Sequence, residues 1–446
     1  MKHTIHRGAD EVGGNCIEVT HGETRLVLDL GLPLFDKDRQ AADTFRYRQM
    51  TVNALDDEGL LPEVAGLFDP DSDAVSDPVS DSLEDRPDAI LLSHAHLDHT
   101  GLVDFSHPDI PIYATRGTSK MMLAGKLFAQ QPELPRDRFR PLDPCTPVVI
   151  GGITVTAYGV DHSIHGAVGL LLEADGESLF YTGDLRMHGL HHLDMNRLIF
   201  DLRKKRIDTL LVEGTHFGLP TSDPRPELQV AADIDRLVAE SDSLVLACLS
   251  PQHTDRLLAF YRAAITSGRT FCVDLYTAFV MQLVHSETDL PRPAIEHDVR
   301  VFLPKSVTKG GRLKRFAKLI NAYAEDAISF PEITKDPDRY VCVFRESMLG
   351  MDFGGELPAG TLCLYGRWTG YLEEASWKPV QAALDAADGR LEVVHSTGHL
   401  LEEDVRRFVR TVNPKTIVPI HTFEPQRVAA LATGALTSAT VAEKAV

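Results

Sequence analysis

Short apolar runs separated by turns dominate the first half of the chain, and helical periodicity enters later. Residues 15–20 and 24–30 are rich in β-branched and apolar side chains and flank a polar His-Gly-Glu turn, which predicts a hairpin. The Gly13-Gly14 pair before it and the Asp29-Leu30-Gly31 end of its second strand predict close backbone approach there. Between residues 89 and 214, apolar runs at 89–92, 111–114, 153–159, 168–173, 179–181 and 209–212 predict a sheet-rich layer, with a helix at 119–130. Farther on, helical patterns at 226–241, 254–267 and 277–285 alternate with apolar strands at 244–249 and 270–275. That alternation is the βαβ signature of a separate parallel sheet. After Gly370 a helix at 376–387, a strand at 391–395, a helix at 402–412 and a strand at 416–420 are expected. Residues 33–88 form a long insertion whose second half, 69–88, is dense in Asp, Ser and Pro, the composition of a solvated linker. The last fifteen residues, rich in Ala and Thr, suit a helix or a frayed tail.

Length and charge narrow the classes. At roughly 100 to 200 residues per domain, 446 residues suggest two to four domains. The excess of 65 acidic over 45 basic residues, a formal charge of −20, excludes a broadly cationic protein that coats nucleic acid or an anionic membrane. Any anion site must then be local, and Arg300, Lys305, Lys309, Arg312, Lys314, Arg315 and Lys318 form the best candidate phosphate track. Cysteines 16, 145, 248, 272, 342 and 363 contain no CxxC pair, so neither a disulfide framework nor a zinc ribbon is indicated, and a reducing cytoplasm fits. The start is polar rather than a signal sequence, and no apolar run approaches the ~18 residues needed to cross a bilayer.

The chemistry is concentrated in LLSHAHLDHTG, which packs His94, His96, Asp98 and His99 directly after an apolar strand. Imidazoles and a carboxylate at this spacing suit a borderline cation such as zinc, and four ligand-type side chains exceed what one catalytic ion needs, so two ions are expected. Asp184 in YTGD follows another strand and is placed to bridge two cations. The segment Asp161-His162-Ser163-Ile164-His165 offers His162 or His165, of which His162 is preferred. His421 closes the late strand and is a further candidate.

The motifs LVLDLG with Asp29, HAHLDH, DHSIHGAVG and YTGDLR resemble those of the metallo-β-lactamase superfamily. LLVEGT with Glu213, HSTGHL with His399 and IVPIHT with His421 are similar to its nucleic-acid-processing β-CASP branch, in particular to ribonuclease J-like nucleases. The resemblance implies an α/β protein, a metallo-β-lactamase αββα sandwich (1–216 and 378–446) with an inserted β-CASP α/β domain (217–377). It also implies one ion on His94, His96 and His162, another on Asp98, His99 and His421, Asp184 bridging, and Asp29 orienting the HAHLDH loop. The implied activity is hydrolysis of single-stranded RNA by metal-activated hydroxide, leaving 5′-phosphate products. Asp98 and Asp184 serve that activity, and His399, held by Glu213, is the general acid. Two zinc ions are the expected cofactors, with manganese an alternative. DNA as substrate, exonuclease against endonuclease action and a homodimeric assembly are left open. Candidate substrate contacts are Ser250 and Arg256 after a strand, and Arg367 and Trp368 in YGRWTGY. A serine-rich phosphate pocket typical of ribonuclease J is absent from the sequence, which puts a 5′-monophosphate preference in doubt. The competing readings are a metallo-hydrolase of small esters or cyclic nucleotides, and a non-catalytic RNA-binding scaffold.

Overall fold

The expected hairpin is present in the computed structural model, which describes residues 1–36, 38–68, 86–218, 225–293, 295 and 298–433. Strands β1 (Lys2–Arg7), β2 (Cys16–His21) and β3 (Thr24–Leu28) pair antiparallel. They are followed in parallel by β4 (Ala89–Leu91), β5 (Ile112–Ala114) and β6 (Phe139–Pro141), which complete a six-stranded sheet. A second six-stranded sheet holds β7 (Pro147–Ile150), β8 (Ile153–Gly159), β9 (Val168–Ala174), β10 (Glu177–Tyr181) and β11 (Thr209–Glu213). The closing strand Thr416–Ile420 pairs parallel to β11 at its edge.

Side-chain alternation explains why these sheets stack. With a period of two, Ile17, Val19, Leu26, Leu28 and Leu91 of the first sheet share one core with Val155, Ala157, Leu170, Leu172, Leu179, Tyr181 and Leu211 of the second. The intervening Val27 and Ile90 are also buried. Both faces of the parallel part are therefore covered, which is why these strands read as unbroken apolar runs. The helix His192–Lys205 lies against β8 and against the helix Glu402–Val412. In the second sheet β8, β10, β11 and the closing strand run one way, with β9 between β8 and β10 running back. The carboxyl ends of those four strands thus share one edge, and the chemistry lies there.

The chain divides into two units, Met1–Ser222 with Gly398–Val446, and Asp223–Thr397. The second unit is one seven-stranded, wholly parallel sheet. Its strands are β12 (Val245–Cys248), β13 (Thr270–Asp274), β14 (Val299–Phe302), β15 (Ala327–Ile328), β16 (Tyr340–Val343), β17 (Leu362–Tyr365) and β18 (Arg390–Val393), in the order β15-β14-β13-β16-β12-β17-β18. Cys248, Cys272, Cys342 and Cys363 fall in one apolar cluster with Phe344, Tyr365 and Trp377, acting as small hydrophobes.

The expected limit at about 217 lies six residues from the first unit boundary, whereas that at 377 lies twenty residues before the second. The sequence expectation places the helix Lys378–Ala386 and β18 in the closing segment, but β18 pairs with β17 from Leu362↔Arg390 to Tyr365↔Val393 and completes the second sheet. Only residues from Gly398 onward return to the first unit. The helices His192–Lys205 and Gly310–Tyr323, and the strands β1, β14, β16 and β17, had no expectation. The first helix buries only Met195, Leu198 and Leu202 in a mostly polar sequence, and the second opens on two glycines that mask a helical start. Of the insertion, short helices Thr44–Tyr47 and Val52–Asp57 are present, with Leu55 and Leu67 buried. The stretches 69–85 and 434–446, on which most of the linker and tail expectations fall, lie outside the described residues.

Candidate metal centre

Each side chain of the centre leaves the end of a strand. Asp29 follows β3, His94 to His99 follow β4, Asp161 and His162 follow β8, Asp184 follows β10, Glu213 ends β11 and His421 follows the closing strand. Close backbone approach makes this convergence feasible. A Cβ on Gly31 would sit 1.7 Å from the Asp98 carbonyl oxygen, and one on Gly13, at φ +85°, would meet the Asp98 side chain at 2.9 Å. Asp29 and His421 themselves adopt φ of 57° and 50°, left-handed conformations of the kind that concentrate at functional sites.

Three groups of ligand-type side chains result, His94 with His96 and His162, Asp98 with His99, Asp184 and His421, and Glu213 with His399 and His421, of which the first two hold the expected ligands. The Nε2 atoms of His94 and His162 lie 3.0 and 3.1 Å from His96 Nδ1. In the second group His421 Nε2 is 3.0 Å from Asp98 Oδ2, and His99 Nε2 is 3.1 Å from Asp184 Oδ2. Asp184 Oδ2 is also 3.7 Å from His94 Nε2, so this carboxylate touches both groups. His162, rather than His165, joins the first group.

The tautomers follow from the outer partners. Asp29 Oδ2 accepts from His99 Nδ1 at 2.7 Å. Ser93 Oγ donates to Asp29 Oδ2 at 2.7 Å and therefore accepts from His94 Nδ1 at 3.0 Å. The Gly398 carbonyl accepts from His162 Nδ1 at 2.7 Å. Thr215 Oγ1 donates to Glu213 Oε2 at 2.6 Å and accepts from His421 Nδ1 at 2.8 Å. In neutral His94, His99, His162 and His421 the Nε2 lone pairs are thus turned inward, and the Asp184 Oδ1 atom is buried without a hydrogen-bond partner. Converging lone pairs with an orphaned carboxylate oxygen fit divalent cations, whose charge would replace the protons that such a set otherwise requires.

Electrostatics agree. Burial, reinforced by neighbouring imidazoles, drives His94 and His162 well below the usual imidazole range, and burial pushes His96 down to about 4. Burial would raise Asp98 and Asp184, yet the surrounding imidazoles hold both well below the carboxylate range. Burial lowers His99 as well, but Asp184, Asp98 and Asp29 outweigh it and raise it well above the imidazole range. His94, His96 and His162 are thus held neutral and Asp98 and Asp184 anionic, the states in which they bind metal, while a cation would have to displace the proton that the carboxylates hold on His99.

Beside the ligands, His399 Nδ1 lies 3.4 Å from Glu213 Oε1 and 3.7 Å from Asp184 Oδ2. Burial lowers the imidazole's proton affinity, but Glu213 and Asp184 outweigh it and raise His399 to about 9. Glu213 also accepts hydrogen bonds from the backbone amides of Leu185, Leu400 and Thr215. With those acceptor sites filled, Glu213 is better suited to holding His399 than to binding an ion.

Sequence reasoning missed Ser93, Thr215 and Tyr181, whose hydroxyl donates to Asp29. All three lie inside the quoted motifs, but a short hydroxyl residue beside a ligand carries no pattern of its own. The loop of His162 is held by another unanticipated contact, the fully buried Arg186 donating to Asp161 Oδ1 at 2.6 Å. Asp29→Ala is expected to lower metal affinity by about 10- to 100-fold, because His99 loses the carboxylate that fixes its ring. Competition with a chromophoric chelator measures this, and unchanged affinity would leave Asp29 a purely structural residue.

The four expected substrate contacts lie in the second unit and fare unequally. Arg256 is corrected: it is fully buried, donates to Glu227 Oε1 at 2.6 Å and to the carbonyls of Gly366 and Val394, and so is committed internally. Its place at a helix start made it resemble a phosphate ligand, whereas burial of the guanidinium demands these internal acceptors. Ser250 is exposed and Trp368 is 49% exposed. The Arg367 guanidinium lies over the Tyr371 ring at 4.8 Å and 3.8 Å from Glu346.

Residues 52–231 match the family model described as Beta-lactamase superfamily domain. Ribonuclease J of Sinorhizobium meliloti is 22% identical over 344 residues, covering 75% of this chain and 57% of that protein. An RNase J-like protein of Methanocaldococcus jannaschii is 24% identical over 289 residues, 61% of this chain and 57% of that one. Ribonuclease J of Helicobacter pylori is 20% identical over 440 residues, 94% of this chain and 56% of that one. The chain thus spans little more than half the length of these curated relatives. Among solved structures, a protein of unknown function from Enterococcus faecalis superposes with a TM-score of 0.76 at 23% identity, covering 95% of both chains, which establishes a shared fold.

Proposed function

Starting from a chain that carries a β-lactamase superfamily domain and is similar to ribonuclease J along most of its length, we propose that this protein is a metal-dependent ribonuclease. Its substrate is single-stranded RNA, cut by water to leave a 5′-phosphate on one product and a 3′-hydroxyl on the other. The observation that carries this reading is the juxtaposition of two ligand groups sharing Asp184 with a carboxylate-held imidazole, His399, at their side.

Divalent cations on these ligands supply an activated water and neutralise charge on the phosphoryl oxygens. Two zinc ions suit the imidazole-rich set, with manganese the alternative. His94, His96 and His162 would hold one, Asp98, His99 and His421 the other, with Asp184 between them. His399 then does the work that the ions do not. Its Nδ1 faces Glu213, so its Nε2 can donate a proton to the departing ribose 3′ oxygen as the phosphorus–oxygen bond breaks. An alkoxide is a poor leaving group and needs that proton, whereas the leaving groups of thioesters and activated small esters do not. The six cysteines are all free, as suits a reducing cytoplasm, and no helix among the described residues is long and apolar enough to cross a membrane.

The test is incubation of the full chain with body-labelled single-stranded RNA bearing a 5′ monophosphate or a 5′ triphosphate, beside an Asp98→Ala control. Fragments with 5′-phosphate ends, absent with the control, support the reading. Mononucleotides would identify an exonuclease, and discrete internal fragments an endonuclease. Intact RNA together with rapid hydrolysis of a small ester would overturn it.

A further inference from the structure

The second unit carries a feature that the proposed chemistry leaves unused. Between Asp298 and Glu325 the sequence has no carboxylate, yet it places Arg300, Lys305, Lys309, Arg312, Lys314, Arg315 and Lys318 there. In a chain of net charge −20 this is a sharp local reversal of sign. The structure gathers most of it on the helix Gly310–Tyr323 and the residues just before it. Phe316 and Tyr323 turn inward and are buried, while Lys305, Lys309, Arg312, Lys314, Arg315 and Lys318 are all exposed. At 100° per residue, Lys314, Arg315 and Lys318 share one face, and Lys314 and Lys318 stand one turn apart. Arg312, Lys314 and Lys318 make no ion pair with a carboxylate among the described residues.

A helix selected only for stability would be built differently. Cations near the amino end oppose the helix dipole, and like charges at i and i+4 repel. Two glycines in the first turn weaken it further, and Lys309 at its start offers no side-chain cap. Nothing lies within 4 Å of the position a Cβ would take on Gly311, so the backbone there is open to solvent. The charge placement disfavours the isolated helix and is relieved by a polyanion laid along it. A mixed-charge solvated face would instead set carboxylates one turn from its cations.

We propose that the exposed basic face of the helix Gly310–Tyr323 is a docking surface for the phosphate backbone of single-stranded RNA, read through charge rather than sequence. It deepens the ribonuclease reading and rests on it for the identity of the polyanion. Cations spaced along a helical face suit a flexible, repeating phosphate chain, which can adjust its path to meet them.

The test replaces Lys314, Arg315 and Lys318 together by Gln, which keeps helix propensity and removes the three charges of that face. Binding of a 30-nucleotide unstructured RNA to the full chain, with EDTA to prevent cleavage, is followed against salt. The expected result is a dissociation constant raised about tenfold or more, and a slope of log affinity against log salt reduced by about 2, from roughly 0.7 per lost phosphate contact. Hydrolysis of bis(p-nitrophenyl) phosphate, too small to reach along the helix, stays within about twofold of wild type, and Lys314→Arg with Lys318→Arg keeps the wild-type slope. Unchanged RNA affinity and slope in the Gln variant would overturn the docking surface while leaving the nuclease reading intact. Loss of binding in the variant, with a wild type that binds RNA but never cleaves it, would support the surface and sink the nuclease. Tighter binding to vesicles of phosphatidylserine and phosphatidylcholine than to RNA, lost in the same variant, would overturn the RNA assignment.

Discussion

Replacing Asp184 by Ala is expected to abolish the proposed RNA cleavage to the limit of detection, a loss of at least about 10³-fold, and to reduce bound metal from the proposed two equivalents to one or fewer. One oxygen of this carboxylate lies 3.1 Å from His99 Nε2, 3.7 Å from His94 Nε2 and 3.8 Å from His421 Nε2, while the other is buried without a partner. Its loss removes a ligand and half the negative charge of the centre, Asp98 being the remaining carboxylate in the two groups. The several kcal/mol that a cation pair contributes to phosphoryl charge stabilisation correspond to such a factor, at about 1.4 kcal/mol per tenfold. Elemental analysis of gel-filtered protein, alongside the cleavage assay, measures both quantities. A variant that retains two ions and full activity would show that Asp184 does not bridge.

His399→Ala should separate chemistry from metal binding. RNA cleavage is expected to fall by about 10²- to 10⁴-fold, the range for loss of a general acid, with metal content unchanged. Because p-nitrophenolate leaves without help from an acid, turnover of bis(p-nitrophenyl) phosphate should fall by far less than turnover of RNA. The pH dependence has a definite sign. Burial lowers the proton affinity of His399 but Glu213 and Asp184 outweigh it and raise it to about 9, so the acid form persists through neutrality and titration of this group removes activity on the alkaline side. Cations on Asp184 would cancel its share of that pull and move the alkaline limb downward, leaving Glu213 as the retaining charge. Equal losses on RNA and on the activated diester would refute the general-acid role and make His399 a ligand or a packing residue.

The local part of this site was written in the chain. His94, His96, Asp98 and His99 sit within six positions after an apolar strand, and strand geometry alone presents them together. The hairpin, the helix Glu402–Val412 and the closing strand were likewise expected within a residue or two of their observed limits, because alternation and helical period depend on neighbours along the sequence. Distant relations were another matter. Asp98 and His421 are 323 positions apart and meet only because the closing strand pairs in parallel with β11. His162, which groups with His94 and His96, is oriented by the carbonyl of Gly398, 236 positions away, which accepts from its ring. Likewise the second unit ends at Thr397 because β18 adds to β17, a pairing that four short residues do not announce. Arg256 marks the same limit from the opposite side, since nothing in its neighbours tells whether a guanidinium faces solvent or a buried Glu227. Residue type and spacing determined the chemistry available and most of the elements. The strand pairing of the whole chain decided which groups share a site, which way each imidazole turns, and which charges are already spoken for, because those depend on contacts between segments that local sequence does not encode.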